Sequence, residues 1–146
     1  MTLLYLNYNC FQRSFDDPAQ IRIQLEAVAC QEIFTRAEND ADIQLVWSFM
    51  HQDETILCPF PDRKIEAFRL SRLCQQRVGP EREIYDRAKQ YQQRAHLSAK
   101  DAVHLACAVH VQADILITCD DRFLKQAKRL NLDIEIINPV DYFRGE

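Results

Sequence analysis

The sequence predicts an α/β protein with three layers, α/β/α, built around a short central parallel sheet. Apolar runs of strand length alternate with helical segments along the 146-residue chain, and each run is too short to form a hairpin with its neighbour. The first strand, residues 2–6, is almost continuously apolar, which is typical of parallel strands buried on both faces. A parallel sheet covered by helices on both faces is the economical architecture for this pattern.

The first half of the chain is predicted to hold two strands and two helices. A turn provides Asp17 as an N-cap and Pro18 as the first residue of a helix that runs to about Ala37. The second strand is predicted over residues 43–47, and a short helix over residues 48–54. One face of the first helix is predicted to be buried through its apolar residues Ile21, Leu25, Val28, Ala29 and Ile33.

The second half begins with two predicted helices that flank a strong helix breaker. One helix starts in the segment 59–62 and runs to about Val78, and a polar helix over residues 81–95 follows Gly79 and Pro80. The two helices are predicted to pair as an antiparallel hairpin. The remainder is predicted to form helix, strand, helix and strand over residues 98–111, 115–117, 121–130 and 134–137.

Composition excludes several classes of protein. The length indicates one domain over residues 1–146. The chain has only two glycines, which excludes a glycine-rich phosphate-binding loop. The six cysteines include no Cys-x-x-Cys pair, which favours reduced, mostly buried thiols. No basic leader precedes an apolar stretch and no run approaches the ~18 apolar residues of a membrane span, so we expect a soluble, cytoplasmic protein with no membrane association.

Charge is distributed unevenly along the chain, whose net charge is −4. Residues 14–58 hold nine acids and two bases, whereas residues 59–94 hold nine bases and five acids. Such asymmetry favours a basic, phosphate-binding surface on an acidic protein, although solvated helix faces are the simpler alternative. The first candidates for phosphate contacts are Arg63, Lys64 and Arg69.

Polar side chains follow two of the predicted strands. Asn7 and Asn9 come after the first strand, and Asp120 and Asp121 come after the strand that ends at residue 117. Asp101 lies in the first turn of a predicted helix. Ligands of open α/β sheets bind outside the carboxyl ends of the strands, and acids that meet there can hold a hard cation. The sequence therefore predicts a metal site at this edge of the sheet.

Three segments together resemble the PIN-domain family of metal-dependent nucleases. They are residues 4–11 (LYLNYNCF), 97–106 (LSAKDAVHLA) and 116–124 (LITCDDRFL), and an Asn-Pro pair at 138–139 closes the pattern. The motifs span almost the whole chain in the order that the family has, so the resemblance implies the PIN fold. Carried over from the family's four acidic positions, the implied catalytic and metal-binding residues are Asn7, Glu54, Asp101 and Asp120.

The resemblance implies a ribonuclease that uses Mg²⁺ or Mn²⁺ to hydrolyse RNA phosphodiesters. A divalent cation can lower the pKa of a bound water and stabilise charge that builds on the phosphate, and oxygen ligands suit such an ion. Solitary PIN domains resemble toxins of bacterial toxin-antitoxin pairs, which implies a homodimer and an antitoxin protein as partner. The residues predicted to contact the substrate are Asn9, Arg13, Thr118 and Asp121.

Several of these residues also have ordinary structural roles open to them. Asp101 lies three residues after Ser98, as in a capping box, and either Asp120 or Asp121 can cap the helix that follows. Arg13 can form a surface salt bridge instead of a phosphate contact.

The position of the second acid leaves one alternative open. Asp53 is adjacent to Glu54, and a slip of one residue rotates a helical position by ~100°. His104 lies one turn beyond Asp101, where it can orient that carboxylate by a hydrogen bond, although a partly buried, satisfied histidine is the commoner outcome.

Asn7 is the departure from the family pattern. An amide brings no negative charge and cannot accept a proton, so metal affinity and activity are expected to be weakened. The alternative is a PIN-fold module that binds RNA or protein and has lost its chemistry. A phosphoacceptor receiver domain is disfavoured, because Asn7, Asn9 and Pro139 stand where its acids and lysine would be expected.

Overall fold

The computed structural model describes residues 1–144, so the last two residues of the predicted domain lie outside the described part. Five parallel strands form one sheet in the order β3-β2-β1-β4-β5. The strands are β1 Thr2–Leu6, β2 Ile43–Ser48, β3 Gln76–Val78, β4 Ile115–Ile117 and β5 Glu135–Ile137. The helices are α1 Tyr8–Gln12, α2 Ile21–Asn39, α3 Phe49–Leu57, α4 Pro61–Ser71, α5 Arg82–Ala95, α6 Ala99–His110 and α7 Asp121–Lys128.

Helices cover both faces of the sheet, which confirms the predicted three-layer α/β/α architecture. Side chains alternate along β1, so Leu3 and Tyr5 join a core formed with α5, α6 and α7, whereas Leu4 and Leu6 join a core formed with α1, α2 and α4. Complete burial of a side chain such as Leu4 contributes about 2–3 kcal/mol. The continuous apolar run of β1 is thus used on both faces.

The predicted start of α2 is wrong, and its predicted buried face is right only at Ala29 and Ile33. The helix begins at Ile21 because Asp17 instead caps a turn by accepting a hydrogen bond from the Ala19 amide. Ile21, Leu25 and Val28 are 73%, 55% and 68% exposed and form an apolar row that we call the α2 stripe. The face that meets the sheet consists of Glu26, Ala29, Cys30, Ile33, Phe34 and Ala37.

The predicted helical hairpin is also wrong. The edge strand β3 separates α4 from α5, and the two helices contribute to different cores: Ala67 and Leu70 of α4 to one, Ile84 and Ala88 of α5 to the other. Periodicity missed β3 because a three-residue strand with two exposed polar residues carries almost no apolar signal. Within residues 1–144, the structure contains no helix that is both long and apolar enough to cross a membrane.

Candidate functional site

The candidate site begins where β1 and β4, which are neighbours in the sheet, both end. Asn7 donates a hydrogen bond from Nδ2 to the Thr118 hydroxyl oxygen at 2.9 Å, and Asn9 donates to the same oxygen at 3.3 Å. The Asp120 amide is a third donor to it, at 3.1 Å. Thr118 is completely buried, so its hydroxyl holds the floor of the site together.

The structure brings Asp101 and Asp120 together at this floor. Asp120 caps α7, since its Oδ1 accepts from the Arg122 and Phe123 amides at 2.9 and 3.2 Å. Asp101 lies half-buried in the first turn of α6, and its amide donates to the Ser98 hydroxyl at 3.1 Å. Burial first, and then the negative charge of Asp120, raise the pKa of Asp101 above its ordinary value, although a hydrogen bond with Ser98 opposes this. Asp120 therefore combines a capping role with a place near Asp101, whereas α6 is capped by Ser98 and the Asp101 carboxylate lies in its first turn.

Glu54 is held on the other side of the site by a buried hydrogen-bond chain. His104 bonds Glu54 through Nε2 and the Tyr5 hydroxyl through Nδ1, the latter at 2.6 Å. The Tyr5 hydroxyl also bonds the Ser48 hydroxyl at 2.9 Å. Of the two roles open to His104, the structure shows the buried, satisfied histidine, because both ring nitrogens bond partners other than Asp101. Its ring instead fixes the Glu54 carboxylate.

The choice between the two adjacent acids of α3 follows from burial. The Glu54 side chain is 13% exposed and also forms an ion pair with Lys100 at 3.6 Å, whereas Asp53 is exposed. Both border an open groove of about 430 Å³, whose walls include Tyr8, Met50, Leu57 and Phe60. The groove therefore runs directly from Glu54 across an apolar surface.

Sequence reasoning missed Tyr5, Ser48, His51 and Lys100. His51 accepts from the Ser48 amide at 2.9 Å through Nδ1 and bonds the Leu6 carbonyl oxygen at 2.7 Å through Nε2. Burial, and then the neighbouring His104, lower the pKa of His51 well below its ordinary value. The spacing of Ser48 and His51 is that of a capping box with histidine in place of the usual glutamate, and that was the available signal.

Two comparisons with known proteins found similarities to this chain. Residues 59–129 match the family model of the PIN domain. The structure of VapBC-1 from nontypeable Haemophilus influenzae is similar to this one, with a TM-score of 0.62 and 14% sequence identity over 94% of this chain and 98% of that chain. The match and the shared fold support assignment of the chain to the PIN-domain family. No curated protein matches it.

The donors of this PIN domain suit a hydrated hard cation only in part. Among the described residues, Glu54, Asp101 and Asp120 do not form a trio with donor atoms all within 4.8 Å of one another. Asn7 has its amide oxygen bonded to the Tyr8 amide at 2.8 Å and its nitrogen bonded to Thr118, so it acts as a cap for α1. The close carboxylates of Asp101 and Asp120 fit an ion that keeps several of its own waters.

The PIN domain uses two of the predicted substrate residues for structure. Arg13 pairs with Asp16 at 2.9 Å and with buried Glu26 at 3.1 Å. Asp121 receives two hydrogen bonds from Arg22, at 2.6 and 2.8 Å. These ion pairs and hydrogen bonds thus compete with any contact between either side chain and a substrate.

The predicted phosphate contacts on α4 are similarly occupied. Arg63 pairs with Asp16 at 3.2 Å and donates to the Phe15 carbonyl oxygen at 2.8 Å, and Arg69 pairs with Glu66. Lys64 has no ion pair among residues 1–144. Lys100, which is 59% exposed, forms an ion pair with Glu54.

Proposed function

We propose that this PIN domain is a cytoplasmic, Mg²⁺- or Mn²⁺-dependent ribonuclease that acts through one domain spanning residues 1–146. The observation that carries the proposal is the meeting of Asp101 and Asp120 at the carboxyl ends of the central strands, in a space where burial and mutual repulsion disfavour two charges. A divalent cation is the ligand that relieves this repulsion. The match to the PIN family model supports the same conclusion, because the sequence motifs of this chain resemble those of metal-dependent nucleases.

In this proposal the acids divide the work. Asp101 and Asp120 hold the cation, which when bound supplies an acidified water and neutralises charge on the phosphate. Glu54 is held in one orientation by His104 and can take a proton at its carboxylate. Lys100 forms a phosphate contact at the entrance of the site, because its ammonium group is exposed and already lies near Glu54.

The test is cleavage of structured RNA with Mg²⁺, Mn²⁺ or no added ion. Asp101→Asn and Glu54→Gln should each lower the cleavage rate by ~10²-fold to 10⁴-fold, as is typical for a positioned proton-transfer group. Asp53→Asn is the matched control, because Asp53 is adjacent to Glu54 but exposed. Equal losses in Asp53→Asn and Glu54→Gln would reject the assignment of Glu54.

One observation favours a second candidate, a module that binds RNA or protein without cleaving RNA. Both polar atoms of the Asn7 side chain are committed to hydrogen bonds within the chain, so the position that is acidic in the family here serves the fold. This candidate predicts RNA binding that is independent of divalent ions and unchanged by Asp101→Asn. Metal titration followed by the cleavage assay separates the two functions.

The partners proposed for this PIN domain are RNA, a second copy of the chain and an antitoxin protein. The α2 stripe supports self-association, because three exposed apolar side chains on one helix face are typical of an interface. The groove beside Glu54 supports binding of an antitoxin segment, since its apolar walls adjoin Arg63 and Lys100. Expression in a bacterial host should arrest growth, and Asp101→Asn should abolish the arrest.

A further inference from the structure

Three cysteines that are far apart in sequence meet behind the candidate site. Cys10 lies on α1, Cys30 on α2, and Cys119 in the segment between β4 and α7. Their sulfur atoms all lie within 4.8 Å of one another, and the residues are 2%, 0% and 4% exposed. We call them the cysteine trio. Within residues 1–144 it is the only group of three candidate metal-ligand side chains this compact.

One cationic side chain lies against the trio. The guanidinium group of Arg13 interacts with Cys119, and the Nε of Arg13 is buried without a hydrogen-bond partner among the described residues. A neutral thiol is a weak acceptor, whereas a thiolate would satisfy such a donor. Three thiolates this close together in a buried site would repel one another strongly, so we expect them to form only as a cation binds among them.

We propose that the cysteine trio binds one soft, thiophilic d¹⁰ cation, of which Zn²⁺ and Cu⁺ are the two biological candidates. Sulfur ligands select these ions over Mg²⁺ and Mn²⁺. Sulfurs bound at ~2.3 Å lie roughly 3.8–4.0 Å apart, so a contraction of about 1 Å or less closes the site. Up to three thiol protons leave for solvent as the sulfur–metal bonds form.

Charge and coordination number favour different ions. Three thiolates with Zn²⁺ carry one net negative charge, which the adjacent Arg13 offsets, whereas Cu⁺ leaves one more negative charge buried. Structural zinc is almost always four-coordinate, and no fourth His, Cys, Asp or Glu joins the trio in the described part of the chain. Both ions share the same sulfur chemistry, so the experiment below distinguishes them.

The bound cation would fasten together the two segments that carry the candidate active site. Cys10 directly follows Asn9, and Cys119 lies between Thr118 and Asp120. Asn9 already accepts a hydrogen bond from the Cys119 amide at 3.2 Å, so the two segments are in contact before any ion binds. A soft cation at the trio would therefore act as a structural clamp beneath a separate site for a hard cation.

The test is titration of the reduced, metal-free chain with Zn²⁺ and, separately, with Cu⁺ delivered from a competing chelator. We expect one ion per chain, release of up to three protons, and a higher midpoint of thermal unfolding. Cys30→Ala should lower affinity by more than the ~10-fold to 100-fold that loss of an outer partner typically costs. Cys74→Ala is the matched control, because Cys74 is also buried in the same core but lies outside the trio.

The outcomes are distinct. Tight binding of one ion alone identifies it as the occupant and supports the proposal, provided that Cys30→Ala loses binding and Cys74→Ala retains it. If the wild-type chain binds neither ion, the proposal is overturned, and this measurement needs no folded variant. Binding that survives Cys30→Ala, or that is lost instead in Asp101→Asn, would assign the ion to another site and also overturn it.

Discussion

Replacing Asn7 by aspartate tests whether the amide at the end of β1 limits the chemistry of this PIN domain. The side chain is 5% exposed and has two hydrogen bonds, from the Tyr8 amide at 2.8 Å and to the Thr118 hydroxyl at 2.9 Å. Aspartate keeps the first bond, and the Thr118 hydroxyl can rotate to donate the second. We therefore expect Asn7→Asp to fold without rearrangement of its neighbours.

The magnitude follows from the buried charge. A carboxylate beside Asp101 and Asp120 should lower the free energy of unfolding by about 1–3 kcal/mol in the absence of metal. For a domain of this size each kcal/mol lowers the midpoint of thermal unfolding by roughly 2–4 °C. Mn²⁺ at a hundred times its Kd contributes about 2.7 kcal/mol, which is enough to offset that loss.

Two assays check this prediction. Thermal unfolding with and without Mn²⁺ should show a larger metal-dependent stabilisation in Asn7→Asp than in the wild type, and RNA cleavage should rise by ~10²-fold to 10⁴-fold. The double variant Asn7→Asp with Asp101→Asn is the control and should lose both gains. If Asn7→Asp folds but binds Mn²⁺ no better and cleaves no RNA, the ribonuclease proposal fails and the binding module takes its place.

Three further predictions concern stability, RNA binding and assembly. Below pH 6.5, the ordinary pKa of histidine, the free energy of unfolding should fall by about 1.4 kcal/mol per pH unit. The reason is that the pKa of His51 is lowered in the folded chain, so only the unfolded chain takes up the proton. Urea unfolding at pH 7.5 and 5.5 measures this change. Lys100→Ala should weaken RNA binding and reduce the log–log salt slope by about 1, as measured by fluorescence anisotropy at several salt concentrations. Leu25→Glu in the α2 stripe should convert a dimer to a monomer in sedimentation equilibrium, whereas Leu57→Glu, which changes an even more exposed leucine on α3, should leave the dimer intact.

Each of these predictions has a contrary outcome. An unchanged pH dependence in His51→Gln would assign the slope to other groups. An unchanged salt slope in Lys100→Ala would remove that ammonium group from the RNA interface. A dimer that resists Leu25→Glu, or dissociates in Leu57→Glu, would move the interface away from the α2 stripe.

The strands and helices that sequence predicted most closely are those with strong local signals. The first strand was predicted over residues 2–6 and β4 over residues 115–117, and both bounds match the structure. The helix predicted over residues 98–111 differs from α6 by one residue at each end. Edge strand β3 was not predictable in this way, because its exposed residues lack the apolar pattern of a buried strand.

The error on α2 has a different cause. The helix carries two overlapping apolar faces, and spacing alone does not choose between them. The choice depends on buried Glu26, which pairs with Arg13, Arg22 and Asn138. Two of these partners lie 13 and 112 residues away along the chain, so the pairing exists only in the folded structure.

The candidate site was also predictable from sequence only in part. Asp101 and Asp120 were identified through local motifs, and they lie where those motifs predict: Asp101 in the first turn of α6 and Asp120 as the N-cap of α7. The chain of hydrogen bonds from Tyr5 through His104 to Glu54 joins β1, α6 and α3, and no local spacing encodes it. Asn7 was identified by its place at a strand end, but its hydrogen bond to Thr118 depends on the neighbouring strand β4.

The order of the strands has a consequence for how function can change in this protein. From β1 the sheet grows in one direction through β2 and β3, and in the other direction through β4 and β5. The segments that follow β1 and β4 therefore diverge. The gap between them arises from this reversal of strand order and not from the identity of any side chain. Replacement of an acid by an amide, as at Asn7, can remove catalysis from that gap while the gap itself persists. Binding of a ligand and its cleavage can therefore be gained or lost separately.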